Sequence, residues 1–294
     1  MAKDVESLKE KLREVRGQRD RLRQTRDMLR AKLSAAQRML GCLGDDHLDL
    51  WQAHVLPQFD SAVPDERIVE HIAYRRDAGH SSGTRLLREG WIGARQIGIL
   101  AESVLGPQPR FNSVLDFGCG CARVTRYLTK FVAPGGSLMG CDIDASAVEW
   151  NQANLPHSGT FFTSADHPPL PLPVERQFDL IVVISVFTHL PEAMQDRWME
   201  ELVRRLTPDG IMIATFHGDY FKRFVPAELQ AEFTRSGFCY TDLGKTPDLP
   251  DYYLTAFHTH EYITRHWGQF GEIVRIEPMS VGHQDAAVVR KHKK

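Results

Sequence analysis

Two acids bracket a pair of glycines in this chain. Val114-Leu115-Asp116 ends a short apolar run on a carboxylate, and Gly118 and Gly120 follow at alternate positions in VLDFGCGCARVTRYL. Glycines at such places let the backbone turn tightly and let a ligand approach the main chain. Beyond the loop, LMGCDID ends a second apolar run on Asp142, roughly twenty residues on, the spacing at which an acid accepts hydrogen bonds from a ribose diol. Glycine loop and ribose acid together suit NAD, FAD or S-adenosylmethionine. A third acid, Asp166 in SADHPPLPLP, stands where it could receive an adenine amino group, with Ser164 as the other residue able to do so.

Histidines offer a second kind of chemistry. A neutral imidazole can take a hydroxyl proton near pH 7. Most of the 13 histidines must be surface or structural, but His189 in SVFTHL follows one apolar run and His217 in FHGDY ends another. For each, the plainer reading is a ring bonded to backbone. His258 and His260 lie in a long insertion beside Asp251, Tyr252 and Tyr253. Those aromatics suit either stacking on a sugar face or core packing, and loops of this kind often close over a second substrate. Gln284 and Asp285 are weaker candidates.

The elements that must hold these residues alternate. Strands are expected at 113–116, 137–142, 160–163, 178–185, 210–216, 272–277 and 286–290, with helical patterns between them. Met194, Trp198, Leu202 and Leu206, four apart, mark one helix face. Such alternation predicts an α/β fold: a mostly parallel sheet with helices on both faces, and ligands beyond the carboxyl ends of its strands. The stretch 45–110 is expected to be helical, with Ile92, Gln96, Ile99 and Val104 on an apolar face and Tyr74, Trp91 and Arg95 near the ligand.

Three features separate the cofactors. The loop is acid-x-Gly-x-Gly rather than the GxGxxG spacing of a pyrophosphate site. SADHPPLPLP follows the third strand, and FDLIVVISVFTHL leads through a helix to LTPDGIMIATFHG. Together these resemble the class I S-adenosylmethionine-dependent methyltransferases, whose motifs run in this order. The resemblance is strong over 111–217. It extends more loosely through FHTHEYITRHW and GHQDAAVVRK, where it is to bacterial enzymes of sugar and glycan O-methylation. It implies a Rossmann-like seven-stranded sheet and S-adenosylmethionine as cofactor. It also implies that Asp142 holds the ribose, Gly118 and Gly120 line the methionine portion beside Asp116, Asp166 contacts adenine, and Ser185 at the end of the fourth strand lies beside the cofactor. His189 is the base that such enzymes place there, with His217 and His258 as further candidates and no metal. One position departs: the family pattern would have glycine at Ala122. Alanine in a first helical turn needs no positive φ, so cofactor binding is expected to survive. The alternative is a non-catalytic scaffold that only binds.

No Asn/Asp-Pro-Pro-aromatic signature of nucleic-acid amino methylation follows the fourth strand, and residues 41–294 carry 24 basic against 32 acidic side chains, a balance of −8. Both count against DNA or RNA. A sugar or glycan hydroxyl fits best, with a small natural product or lipid as the alternative acceptor. Residues 1–40 hold 12 Lys/Arg and 6 Asp/Glu, or +6. There, Val5, Leu8, Leu12, Val15, Leu22, Leu29, Leu33, Ala36 and Leu40 follow steps of three and four, broken by Arg19 and Arg26. This predicts a coiled-coil arm over 1–44 that joins copies of the chain, with packing on its own domain, membrane or nucleic acid as alternatives. The chain then divides into the arm, a helical cap over 45–110 and a catalytic domain over 111–294, with an acceptor-binding insertion around 218–270. Five scattered cysteines, no zinc-like spacing, no secretion pattern and no transmembrane run point to reduced thiols and the cytoplasm.

Overall fold

Apolar runs flanked by turn residues become strands in the computed structural model, which describes residues 55–65, 68, 83–243 and 250–293. They are β1 (Phe111–Phe117), β2 (Val132–Asp142), β3 (Thr160–Thr163), β4 (Phe178–Val183), β5 (Leu206–Phe216), β6 (Phe238–Thr241), β7 (Thr255–His258), β8 (Glu272–Val281) and β9 (Gln284–Arg290). Seven form one sheet in the order β3-β2-β1-β4-β5-β9-β8, and β6 and β7 pair separately. β1 to β5 run parallel, and β9 is antiparallel to both neighbours. The chain is thus α/β with a Rossmann-like, mostly parallel seven-stranded sheet. Its order reverses between β1 and β4, which opens a crevice at their carboxyl ends.

The central strands are continuous apolar text because both faces are covered. Leu115, Leu180, Ile181, Val182, Val183, Ile211, Met212 and Ile213 have no exposed surface. Each such side chain contributes about 1.5–3 kcal/mol on burial. Among the described residues the α-helices are α1 (Gly83–Leu105), α2 (Thr125–Leu128), α3 (Ala145–Asn154), α4 (Glu192–Arg204), α5 (Gln230–Ser236) and α6 (His260–His266). Asp144 caps α3 by accepting from the N–H groups of Ser146 and Ala147. Asp142 is thereby left free of capping.

Two local expectations are corrected. Leu206 opens β5 rather than closing the face of α4, and a register shift in the β4–β5 pairing accommodates Thr207-Pro208-Asp209. The covered face of α1 is Leu86, Leu87, Ala94, Ile97, Leu100 and Ala101, whereas Ile99 is 58% exposed. The four-residue strands of the insertion, β6 and β7, carry no sequence signal beyond their length. The arm at 1–44 and Tyr74 lie outside the described residues. Among those described, no helix is long and apolar enough to cross a membrane.

α1 reaches the glycine loop by close approach. A Cβ on Gly90 would lie 1.9 Å from the Arg123 carbonyl oxygen, so only glycine lets the helix backbone touch the segment that leads into α2. Beneath the loop, the buried guanidinium of Arg126 donates to four carbonyls. Two belong to the loop, Ala122 (3.1 Å) and Cys121 (3.1 Å), and two to a strap at 59–65, Asp60 (3.0 Å) and Ala62 (2.7 Å). The Asp60 carboxylate in turn accepts from Ser158 (2.7 Å), next to the start of β3.

Candidate active site

At the end of β1 the chain turns through Gly118 (φ 77°) and Gly120 (φ 50°). Gly118 and Cys119 both donate to the Cys141 carbonyl, at 2.8 and 2.9 Å. Gly120 N donates to Asp142 Oδ2 at 2.7 Å, and its carbonyl accepts from Asn151 (2.7 Å). The loop is therefore clamped onto the end of β2. A Cβ at Gly118 would sit 2.2 Å from Val186 Cγ2, so no other residue leaves the cradle open. Ala122 does not start a helix. It has φ 54°, in the left-handed region, and the helix begins three residues later at Thr125. The expectation that alanine avoids positive φ here is overturned. The position is held by a fully buried side chain, packed with Cys119, Val148, Leu155 and Phe161, and by Arg126 on its carbonyl.

A cavity of about 500 Å³ opens at this switch point. Asp116, Gly118, Gly120, Asp142, Asp166, Ser185, His189 and His217 all line it. Asp116 is 2% exposed and accepts from Thr125 Oγ1 at 2.5 Å. Burial lifts its pKa to about 6, with the Asp142 charge adding to the rise and the Thr125 bond opposing it. Burial also raises Asp142, against the hydrogen bonds from the amides of Asp144 and Gly120. Asp166 is exposed at the other end of the cavity, where it accepts from the Tyr252 hydroxyl (3.0 Å) and its carbonyl accepts from Trp198 (3.2 Å). Ser185 lies two residues past β4 with φ 59°, its N–H held by Thr215 Oγ1 at 2.8 Å.

The two histidines are fixed by one short stretch of the insertion, Leu254 and the start of β7. Nδ1 of His189 is 2.8 Å from the Leu254 carbonyl, and Nδ1 of His217 is 3.1 Å from that of Ala256. A carbonyl only accepts, so both Nδ1 atoms carry the proton and both Nε2 atoms hold a lone pair. Neither Nε2 has a partner among the described residues. The rings meet edge to face at 6.2 Å, and Tyr253 stacks on His189 at 4.1 Å. Burial lowers the pKa of His189. Burial, with the neighbouring His189, takes His217 down to about 4.

His258 does not join them. It is fully buried, bonded through Nε2 to Gln195 (3.0 Å) and surrounded by Phe216, Phe238, Tyr262 and Trp267. Side chains alternate along a strand, and β7 turns this one into the core. His260 and Asp285 bond each other at 2.5 Å outside the cavity lining. Trp91 and Arg95 stack on one another at 5.1 Å, also away from it. Tyr252, Tyr253 and Gln284 do reach the cavity. Trp198, readable in sequence only as part of a helix face, lines it beside Asp166.

Residues 114–210 match a family described as a methyltransferase domain. The chain is similar to the ubiquinone/menaquinone biosynthesis C-methyltransferase of Pseudomonas paraeruginosa, 29% identical over 109 residues, which are 35% of this chain and 40% of that enzyme. The match thus spans less than half of the relative's length. Among solved structures, an S-adenosylmethionine-dependent methyltransferase from Clostridium acetobutylicum superposes with a TM-score of 0.50 at 12% identity, covering 77% of this chain and 99% of that one. Magnesium protoporphyrin IX methyltransferase from Synechocystis, with bound SAH, gives 0.48 at 18% identity over 76% and 94%. These last two are likenesses of fold.

Proposed function

Given that the chain carries a class I S-adenosylmethionine-dependent methyltransferase domain, we propose that it methylates a hydroxyl of a sugar or glycan, with His189 as general base. S-adenosylmethionine, when bound, supplies a methyl group on a positively charged sulfur. The residues present fit it. A Cβ at Gly118 would crowd Val186 in the cradle, and two strand-end carboxylates, Asp116 and Asp142, share its cavity. In this reading Asp142 accepts from the ribose hydroxyls and Asp166 from the adenine amino group.

The observation that carries the proposal is the contact of His189 Nδ1 with the Leu254 carbonyl, which assigns the ring its tautomer. Its Nδ1–H is committed to the Leu254 carbonyl, and its Nε2 lone pair, in the cavity wall, has no partner among the described residues. Burial keeps the ring neutral, the form that accepts a proton. His217 has the same arrangement and is the second candidate. A planar small-molecule acceptor is the alternative, favoured by Tyr253 stacked on His189 and Phe221 packed at 4.2 Å on His217.

Calorimetry with S-adenosylmethionine and with NAD tests the cofactor. Binding of the first alone is expected, and the reverse result would overturn the reading. Transfer of labelled methyl into fractionated glycans, lipids and small molecules then identifies the acceptor. Label confined to carbon or nitrogen would sink the hydroxyl assignment.

A further inference from the structure

Gln284, at the first position of β9, lines the same cavity, and its side chain is held in one orientation by two hydroxyls. Thr215 Oγ1 accepts the Ser185 N–H (2.8 Å) and donates to Gln284 Oε1 (2.6 Å). Ser185 Oγ donates to the same Oε1 at 3.1 Å. Thr215 is fully buried, so turning the amide over would leave its hydroxyl proton without an acceptor, a cost of about 1–3 kcal/mol. The carbonyl of Gln284 is thus turned inward on two donors. Its NH₂ has no partner among the described residues.

The acceptor end of the cavity therefore presents two imidazole lone pairs and one amide donor. We propose that the Gln284 NH₂ hydrogen-bonds the acceptor oxygen as it gains negative charge, and so selects an oxygen nucleophile over an amine. This rests on the hydroxyl-acceptor reading above. In the transfer, the hydroxyl proton goes to His189 Nε2, the oxygen bonds the methyl carbon, and the electron pair of the broken carbon–sulfur bond stays on sulfur. An attacking oxygen keeps a second lone pair for the amide, and that bond strengthens as the proton leaves. A neutral amine has a single lone pair, which attack consumes, so the amide donor would compete with the reaction. Ser185 and Thr215 act through Gln284 as positioning residues.

The test uses 4-nitrophenol, whose ionised form absorbs in the visible, on the full chain with S-adenosylhomocysteine added. Bound to the wild type, the phenol should ionise at a lower pH than when free. Gln284→Met, close in shape but without a donor, should move that titration upward by about one pH unit, the scale of one hydrogen bond to a charged group. Gln284→Glu should move it further, while thermal unfolding shows that both variants are folded. A wild type that leaves the nitrophenol titration unaltered, or variants that titrate like the wild type, overturn the inference. The base assignment is read separately. If His189→Ala changes the titration and Gln284→Met does not, the inference falls and the base stands; if only the Gln284 variants shift it, the inference stands and the base moves from His189.

Discussion

Asp116 keeps an ionisable carboxyl where burial penalises its charge. It loses its proton near the usual 3.8 in the unfolded chain and at about 6 in the folded one. Between those values the folded state holds a proton that the unfolded state has released. Stability therefore falls as pH rises through that window, and the penalty is complete above about 6. Asp116→Asn, which still offers Thr125 an acceptor, should raise unfolding free energy at pH 8 by on the order of 1–3 kcal/mol and by far less at pH 4. Denaturant titrations of both proteins at the two pH values measure this, and equal gains would contradict it. The histidines run the other way. His189 and His217 are held below the usual 6.5, so both stay neutral at pH 7 and gain protons only on the acid side. Turnover should be flat above about pH 6.5 and fall below it. His189→Ala should lower turnover by roughly 10² to 10⁴ and remove that acid limb. An inflection above pH 7 in the wild-type profile would point to a different base.

At the scale of elements, Arg126 joins pieces that are distant in sequence. Its guanidinium satisfies two carbonyls of the glycine loop and two of the 59–65 strap. Arg126→Met would leave two buried and two half-buried acceptors wanting, and Lys cannot replace the planar fork. A loss of about 3 kcal/mol is expected in urea unfolding, with faster proteolysis within the strap. Unchanged cleavage there would mean that the strap is held by other contacts. No sequence signal marks this residue, because an arginine in a short polar helix reads as surface. The glycine loop, Asp142 and the seven main strands were legible, since a sheet covered on both faces writes itself as uninterrupted apolar runs. Their register and ends were not: Pro208 hid the start of β5, and Ser185 fell past the end of β4. β6 and β7 were missed, and with them the reason that His189 and His217 belong together while His258 does not. The left-handed turn at Ala122 was misread because propensity favours helix there, whereas loop closure and the Arg126 contact decide it.

For the whole molecule, every element of the seven-stranded sheet lies beyond residue 110. A truncated chain beginning at Gly44 should keep its fold and its S-adenosylmethionine affinity. We propose that residues 5–40 form the helix their spacing predicts, whose apolar seam would need a covering surface, since an isolated helix of that length gains little from propensity alone. Full-length protein should therefore sediment as a larger assembly than the truncated chain, and replacing Arg19 and Arg26 with leucine should tighten it. Equal particle masses, both monomeric, would show that the arm does not join copies.

The two catalytic candidates hang from carbonyls two residues apart on one edge of the insertion, Leu254 and Ala256. That spacing works like the teeth of a rack, because carbonyls alternate in direction along an extended chain. Exchanging the insertion for another to recruit a new acceptor would reset both imidazoles together. A graft that shifts the β6–β7 register by one residue would point both carbonyls away from the rings, and turnover is expected to fall on every acceptor. Laboratory evolution of specificity should therefore accept changes in side chains across this segment and reject changes in the register of β7.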